Sequence, residues 1–259
     1  MTTAKPITKN IFTSALYSIL FVTLLSLSFS GCAANKKSMS STNVDELFKR
    51  AVYESQTNRY EEAEASFKRL IENYPLTNES LESQLMLADL YYKREAYEDA
   101  SSYYASFVTL HPANPKAEYA LFQKGMSFFK QVLSMDRDQK STRKALFAFE
   151  DLMAEYPESS YVDKSKELKV FLRERLAERE FYVGNYYYRE EKYRGALSRF
   201  EEIVEFYRDS TLVDKALFFI AKSYGKLGDE DLEKRTYARL ASEFPESPYA
   251  KRAKRRSDG

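Results

Sequence analysis

The side chains best suited to chemistry are few in this chain. There is one histidine, His111, and one cysteine, Cys32. A hydrolytic nucleophile needs a base beside it, and a structural zinc site needs three or four nitrogen or sulfur ligands. One imidazole and one thiol provide neither, so no metal site is expected. No glycine-rich phosphate loop or nucleophile motif occurs, and no cofactor is expected. Acid pairs recur at Glu61-Glu62, Glu190-Glu191 and Glu201-Glu202. They fall on the polar faces of predicted helices, where solvation accounts for them. His111 sits at a position filled by Tyr or Phe in equivalent segments, so packing is its expected role.

Cys32 has a more specific context. Lys5 and Lys9 precede an uncharged run from Ile11 to Phe29, which ends in Ser30-Gly31-Cys32. A basic start, an apolar stretch and small residues before a cleavage point form a secretory signal. A cysteine directly after the small pair resembles the lipobox of bacterial lipoproteins, with Phe29 at the first position where leucine is usual. Residues 1–31 are read as a lipoprotein signal peptide and Cys32 as the lipidation site; the alternative is an uncleaved transmembrane anchor with an incidental cysteine. Residues 32–43 are read as a flexible tether. Removing residues 1–31 leaves 38 bases against 39 acids, about −1 with a blocked amino terminus. The strong basic excess of a nucleic-acid binder is missing.

The rest of the chain is organised by a repeat. Ala63, Phe67, Leu70, Ile71 and Tyr74 form the apolar stripe of an amphipathic helix, which Pro75 stops. The pattern returns at Ala100–Pro112, Ala145–Pro157 and Ala196–Tyr207, and at Tyr237–Pro245 with Glu233 in the alanine slot. A small residue precedes each copy, at Ala51, Ala88, Gly125, Gly184 and Ala221, with intervals of 37, 37, 59 and 37. A small residue at fixed phase lets paired helices approach closely. Helix, turn, helix, proline, repeated, predicts an all-α, tetratricopeptide-like α-solenoid of five helical hairpins. Seven glycines, seven prolines and no tryptophan suit it.

The long interval has two causes. About eight residues are added around Leu133–Thr142, inside the third hairpin. The others lie between Pro157 and Gly184, where Tyr161–Glu190 has no proline. That stretch predicts one helix of about 30 residues, roughly 45 Å long, opening the fourth repeat. Repeats 1–3 then occupy 44–158, and repeats 4–5 with a terminal helix occupy 159–259. The basic segment Lys251–Arg256 closes that last helix, where cations complement the helix dipole; a solvated tail is its plain reading, and contact with anionic lipid or an acidic partner is the alternative.

With lipobox, five repeats and overlong helix together, the chain resembles the BamD (ComL/YfiO) family of outer-membrane lipoproteins of the β-barrel assembly machinery. The resemblance is carried by Met135-Asp136-Arg137-Asp138, by Leu172–Ala177 and Glu180–Val183, and by Tyr186-Tyr187 and Ala196–Glu201. It implies a non-enzymatic, periplasm-facing scaffold, lipid-anchored in the outer membrane; Ala33 after the cysteine agrees with the sorting rule of enteric lipoproteins. The implied partners are a BamA-like barrel subunit, other lipoproteins of the machinery and unfolded outer-membrane proteins. The resemblance places Arg199 at a position tied to BamA coupling and Tyr74 in a proposed substrate region. Core packing is an equal reading of Tyr74. The third-repeat insertion is shorter than in enteric relatives and lacks their proline after Asp138, so the family's contacts through that loop are not implied here, and neither is a BamC-like partner, which many lineages lack. The alternative is another repeat-containing envelope lipoprotein, pilotin-like or a cell-envelope coordination factor.

Overall fold

The computed structural model describes residues 41–257, of which 45–257 belong to one compact unit. Cys32, the signal segment and most of the tether lie outside the described residues. The tether needs one correction. A helix already begins at Ser41, so residues 41–43 are helical.

All described secondary structure is helical. Five hairpins follow one another: α1 (Ser41–Gln56) with α2 (Tyr60–Asn73), α3 (Asn78–Lys93) with α4 (Tyr97–Leu110), α5 (Ala117–Phe129) with α6 (Lys140–Glu155), α7 (Val162–Arg189) with α8 (Tyr193–Phe206), and α9 (Val213–Leu227) with α10 (Glu230–Glu243). The terminal helix α11 runs Pro248–Ser257. It starts on a proline, whose missing N–H is no loss at a first helical position.

The stripes pack as their spacing requires. Ala63, Phe67 and Leu70 are buried on α2, with Ser66 more covered than Ile71. Ala145, Phe149 and Leu152 repeat this on α6, and Ala196, Phe200, Ile203 and Val204 on α8. The small residues allow the close approach. A Cβ at Gly125 would lie 2.6 Å from Phe149 Cε1, and one at Gly184 would lie 2.7 Å from Phe200 Cε1. At Ala51, Ala88 and Ala221 a methyl is accommodated and fully buried.

Four hairpins turn in the same way. Asn58, Glu95, Glu191 and Gly228 have positive φ, from 58° to 82°, just past the end of the first helix. The next N–H returns to a carbonyl five residues back: Arg59 to Glu54, Ala96 to Tyr91, Lys192 to Tyr187 and Asp229 to Tyr224, at 2.9–3.0 Å. This is the Schellman closure, which satisfies carbonyls that a helix end leaves open. The third hairpin replaces it with the connection 130–139, organised by buried Gln139. Its Nε2 donates to the carbonyls of Ser134 (2.9 Å) and Arg137 (3.0 Å), and its Oε1 accepts from Thr142 (2.8 Å).

Helix α7 is continuous over 28 residues, about 42 Å at 1.5 Å per residue. Its Leu168, Leu172 and Leu176 join the apolar cluster of α5 and α6. Its Ala177 and Phe181 join the cluster built by α8 and α9. Tyr207 touches both clusters.

Candidate functional site

Arg199 stands at the junction of α7 and α8. Stacking turns Phe200 inward against Gly184, and the preceding residue is carried to the rim of the same crossing. Arg199 Nη1 donates to Glu180 Oε2 at 3.1 Å and to Glu202 Oε2 at 3.3 Å. The Arg199 side chain is 40% exposed and that of Glu180 12%. Gly184 matters here too: an added Cβ would lie 3.1 Å from the Cβ of Arg199.

Two carboxylates share one guanidinium, and the electrostatics follow. Burial alone would lower the pKa of Arg199, but its bond to Glu180 and the charges of Glu180 and Glu202 raise it above its ordinary value. Burial and the Glu180 charge push the Glu202 carboxyl up, against the pull of Arg199. Burial and the same two acids raise the Tyr207 phenol, opposed by Arg143 and Arg173. The site is an arginine fixed in direction by two acids with its outer edge in water. Both bonds use Nη1. An aligned, partly open guanidinium is suited to a bidentate carboxylate from outside.

Arg173 steadies the neighbouring turn. Its Nε lies 3.0 and 2.9 Å from the two Asp209 carboxylate oxygens, and its Nη2 donates to the Phe206 carbonyl at 2.7 Å. Glu174 accepts from the Thr211 N–H (3.1 Å) and hydroxyl. This turn contains Arg208, where other copies have proline, so side-chain clamps hold a bend that lacks a ring. On the same helix Arg179 donates to the Met135 carbonyl at 3.0 Å, tying down the third-hairpin connection. Gln139, Arg173 and Arg179 are contributors that spacing alone does not reveal. The latter two lie in or beside the α7 segments that carry the family resemblance.

The other expected positions fall elsewhere. Tyr74 caps the end of α2 and is 9% exposed. Its carbonyl accepts from the Thr77 N–H and hydroxyl, both at 3.0 Å. Its neighbour Leu76 is 99% exposed. Tyr74 is therefore a packed residue under a bare one, and the structure does not bring it together with Arg199. His111 caps α4 in the same way, 5.3 Å from the Phe107 ring and 3.1 Å from Gln84 Oε1. It packs, as its place in the stripe predicts. Among the described residues no group of His, Cys, Asp or Glu could hold a metal ion. No described helix is long and apolar enough to cross a membrane.

The family described as "YfiO: Outer membrane lipoprotein" matches residues 40–240, which include every hairpin up to most of α10. The chain belongs to this family. Among curated relatives, the outer membrane protein assembly factor BamD of Neisseria meningitidis serogroup A is 29% identical over 247 residues, covering 89% of this chain and 92% of the relative. The protein of the same name from Caulobacter vibrioides is 28% identical over 227 residues, covering 86% and 74%. Among solved structures, a tetratricopeptide repeat protein from Parabacteroides merdae is 20% identical with a TM-score of 0.37, covering 79% of this chain and 68% of that one. The family match includes Arg199 and its two acids, and also the third-hairpin connection and all of α7.

Proposed function

We propose that the chain is a scaffold of outer-membrane protein assembly, working by holding partners rather than by bond chemistry. Membership in a family of outer membrane lipoproteins supports the location. Relatives named as assembly factors over most of their length support the process. Lipid on Cys32 is the anchor in this reading, with the helical hairpins facing the periplasm. The partner is a BamA-like barrel subunit with other lipoproteins of the machinery, and the cargo is unfolded outer-membrane protein. Near Tyr74, exposed Leu76 is the apolar contact offered to that cargo.

The observation that carries the partner reading is the posture of Arg199. Two acids of its own chain hold it, yet much of its side chain stays in water. A carboxylate on the barrel subunit can meet the open edge without disturbing the inner bonds. The test separates docking from folding. Arg199→Glu is expected to reduce co-purification of the barrel subunit from solubilised membranes. Adding Glu180→Lys restores an ion pair within the chain but not the one across the interface. Co-purification that recovers in the exchanged pair makes Arg199 a folding residue only. Absence of any BamA-like protein from the wild-type complex would overturn the whole reading.

A further inference from the structure

One register position runs through the stack and changes sign along it. Six residues before each small residue of the repeat lie Asp45, Glu82, Tyr119, Glu178 and Lys215, and Arg252 follows Lys215 by another 37 residues. The intervals are those of the small residues, so these side chains hold equivalent places on α1, α3, α5, α7, α9 and α11. The three acids are answered within the chain: Asp45 by Lys49 (2.6 Å), Glu82 by Lys116, and Glu178 by Arg175 (2.8 Å). The two cations are not. Among the described residues neither Lys215 nor Arg252 has a carboxylate within ion-pair reach. Asp214, the one acid of α9, accepts from the Ser247 hydroxyl at 2.5 Å, and α11 contains no acid.

What lies under the cations is aromatic. Phe181 and Tyr188 of α7, Phe218 and Phe219 of α9 and Tyr249 of α11 form a floor, with neighbouring ring centroids 5.4–5.8 Å apart. All but Phe218 are half-buried, so the floor is partly uncovered. Lys215 Nζ stands 4.1 Å from the Phe181 centroid, and the Arg252 guanidinium 5.3 Å from that of Phe218. Lys222 covers Tyr188 at 4.9 Å and is already engaged. A ring holds one side of a cation and leaves its other N–H donors turned outward. A merely solvated position accepts either sign of charge, and this one is acidic at its first two occurrences. It becomes cationic where the chain supplies no counter-charge and rings lie beneath.

We infer that this floor binds an extended segment of a partner polypeptide that carries acids flanking an aromatic residue. Its carboxylates meet Lys215 and Arg252, supplying the counter-charge that the chain itself does not. Its aromatic side chain lies against the uncovered ring edges between them. Helices α9 and α11 are packed on each other, and packed helices stand about 8–10 Å apart. Three residues of extended chain, at about 3.3 Å each, cover that distance, so acids at i and i+3 reach both cations. The inference does not depend on the Arg199 reading, which concerns the crossing of α7 and α8.

The test uses the full chain in phosphatidylcholine nanodiscs and a fluorescent peptide of about nine residues, with glutamates at i and i+3 and tyrosines between them. Its anisotropy is expected to rise saturably, and a copy with lysine for every glutamate should not bind. Lys215→Glu with Arg252→Glu should weaken binding about tenfold or more. The milder pair Lys215→Gln with Arg252→Gln should weaken it about threefold at an unchanged circular dichroism melt, which separates binding from folding. Glu82→Lys, at the same register in the second hairpin, should leave the affinity as it was. No binding of the acidic peptide, binding unchanged in both cation pairs, or an equal loss from Glu82→Lys overturns the inference. So does short-chain phosphatidylglycerol that displaces the probe better than unlabelled peptide at equal charge, which would give the floor to lipid headgroups.

Discussion

Two shielded carboxylates, Asp89 and Glu180, are answered in opposite ways. Asp89 on α3 accepts the hydroxyls of Tyr104 on α4 (2.5 Å) and Tyr119 on α5 (2.8 Å). Its donors are neutral and come from the next two helices, so the second hairpin is locked to the third from within. Burial pushes the Asp89 carboxyl up, and the two hydroxyls and Lys116 pull it back only in part. Glu180 is answered by a charged donor whose side chain remains partly in water. Both arrangements satisfy a carboxylate. Only the second leaves hydrogen-bonding capacity for a third party. Packing sites and docking sites in this stack are thus distinguished by the kind of donor rather than by the acid.

The comparison can be broken at its strongest point first. Asp89→Leu should strand two shielded hydroxyls and destabilise the chain by about 2–4 kcal/mol in urea unfolding. Adding Tyr104→Phe should recover part of that loss; no recovery would mean the acid acts by some other route. Next, Gly184→Ala should cost about 1–3 kcal/mol through the Phe200 clash, offset by up to about 1 kcal/mol of helix propensity. It should also weaken barrel-subunit capture, because Arg199 rests on the same crossing. By contrast, Arg199→Ala should cost less, about 1–2 kcal/mol, because Glu180 loses its donor at an edge that water can reach, while capture falls. A large stability loss with capture retained would make the two acids equivalent after all.

A pH series sharpens the contrast. The folded Asp89 carboxyl binds its proton more tightly than an unfolded aspartate. Its contribution therefore favours the fold at low pH and declines as pH rises from the ordinary carboxylate value through its raised one. Asp209 behaves oppositely. The Arg173 bond holds its pKa down, so its stabilisation is present above the unfolded value and is lost as pH falls through the folded one. Asp89→Asn should remove the first slope and Asp209→Asn the second, read as urea midpoints between about pH 3 and 7. The smallest effect is at the turns. Glu191→Gly should stabilise by about 0.5 kcal/mol, because glycine relieves the left-handed strain but loses more entropy on folding.

Much of this was readable before any coordinates. A stripe with fixed phase forces hairpins, and a proline-free stretch with one glycine forces a long helix. The broken interval accordingly gives both the third connection and α7. What spacing misses is what side chains do after stacking. Glu95 and Glu191 carry no sign of a left-handed turn; only their place 37 and 59+37 residues along the chain from Asn58 and Glu95 aligns them. Gln139 reads as an ordinary polar loop residue, although it is buried and holds its loop together. Tyr74 and His111 show why stripe positions need the structure. Both fall in the stripe, and both are used by packing. Arg199 came from a family resemblance, since no period marks an arginine that will face two acids from other turns.

Helix α7 has a consequence for how the array comes apart. A chain of equivalent hairpins can melt from its ends one unit at a time, since each unit meets only its neighbours. The rod from Val162 to Arg189 contributes leucines to the third hairpin's cluster and Ala177 and Phe181 to the next one. Neither side can open fully without bending or fraying the same rod. Melting that begins at either terminus should therefore stall there, and the backbone amides of α7 should exchange with solvent as one cooperative block. The interval that breaks the sequence repeat is then the clasp that joins its two halves in unfolding.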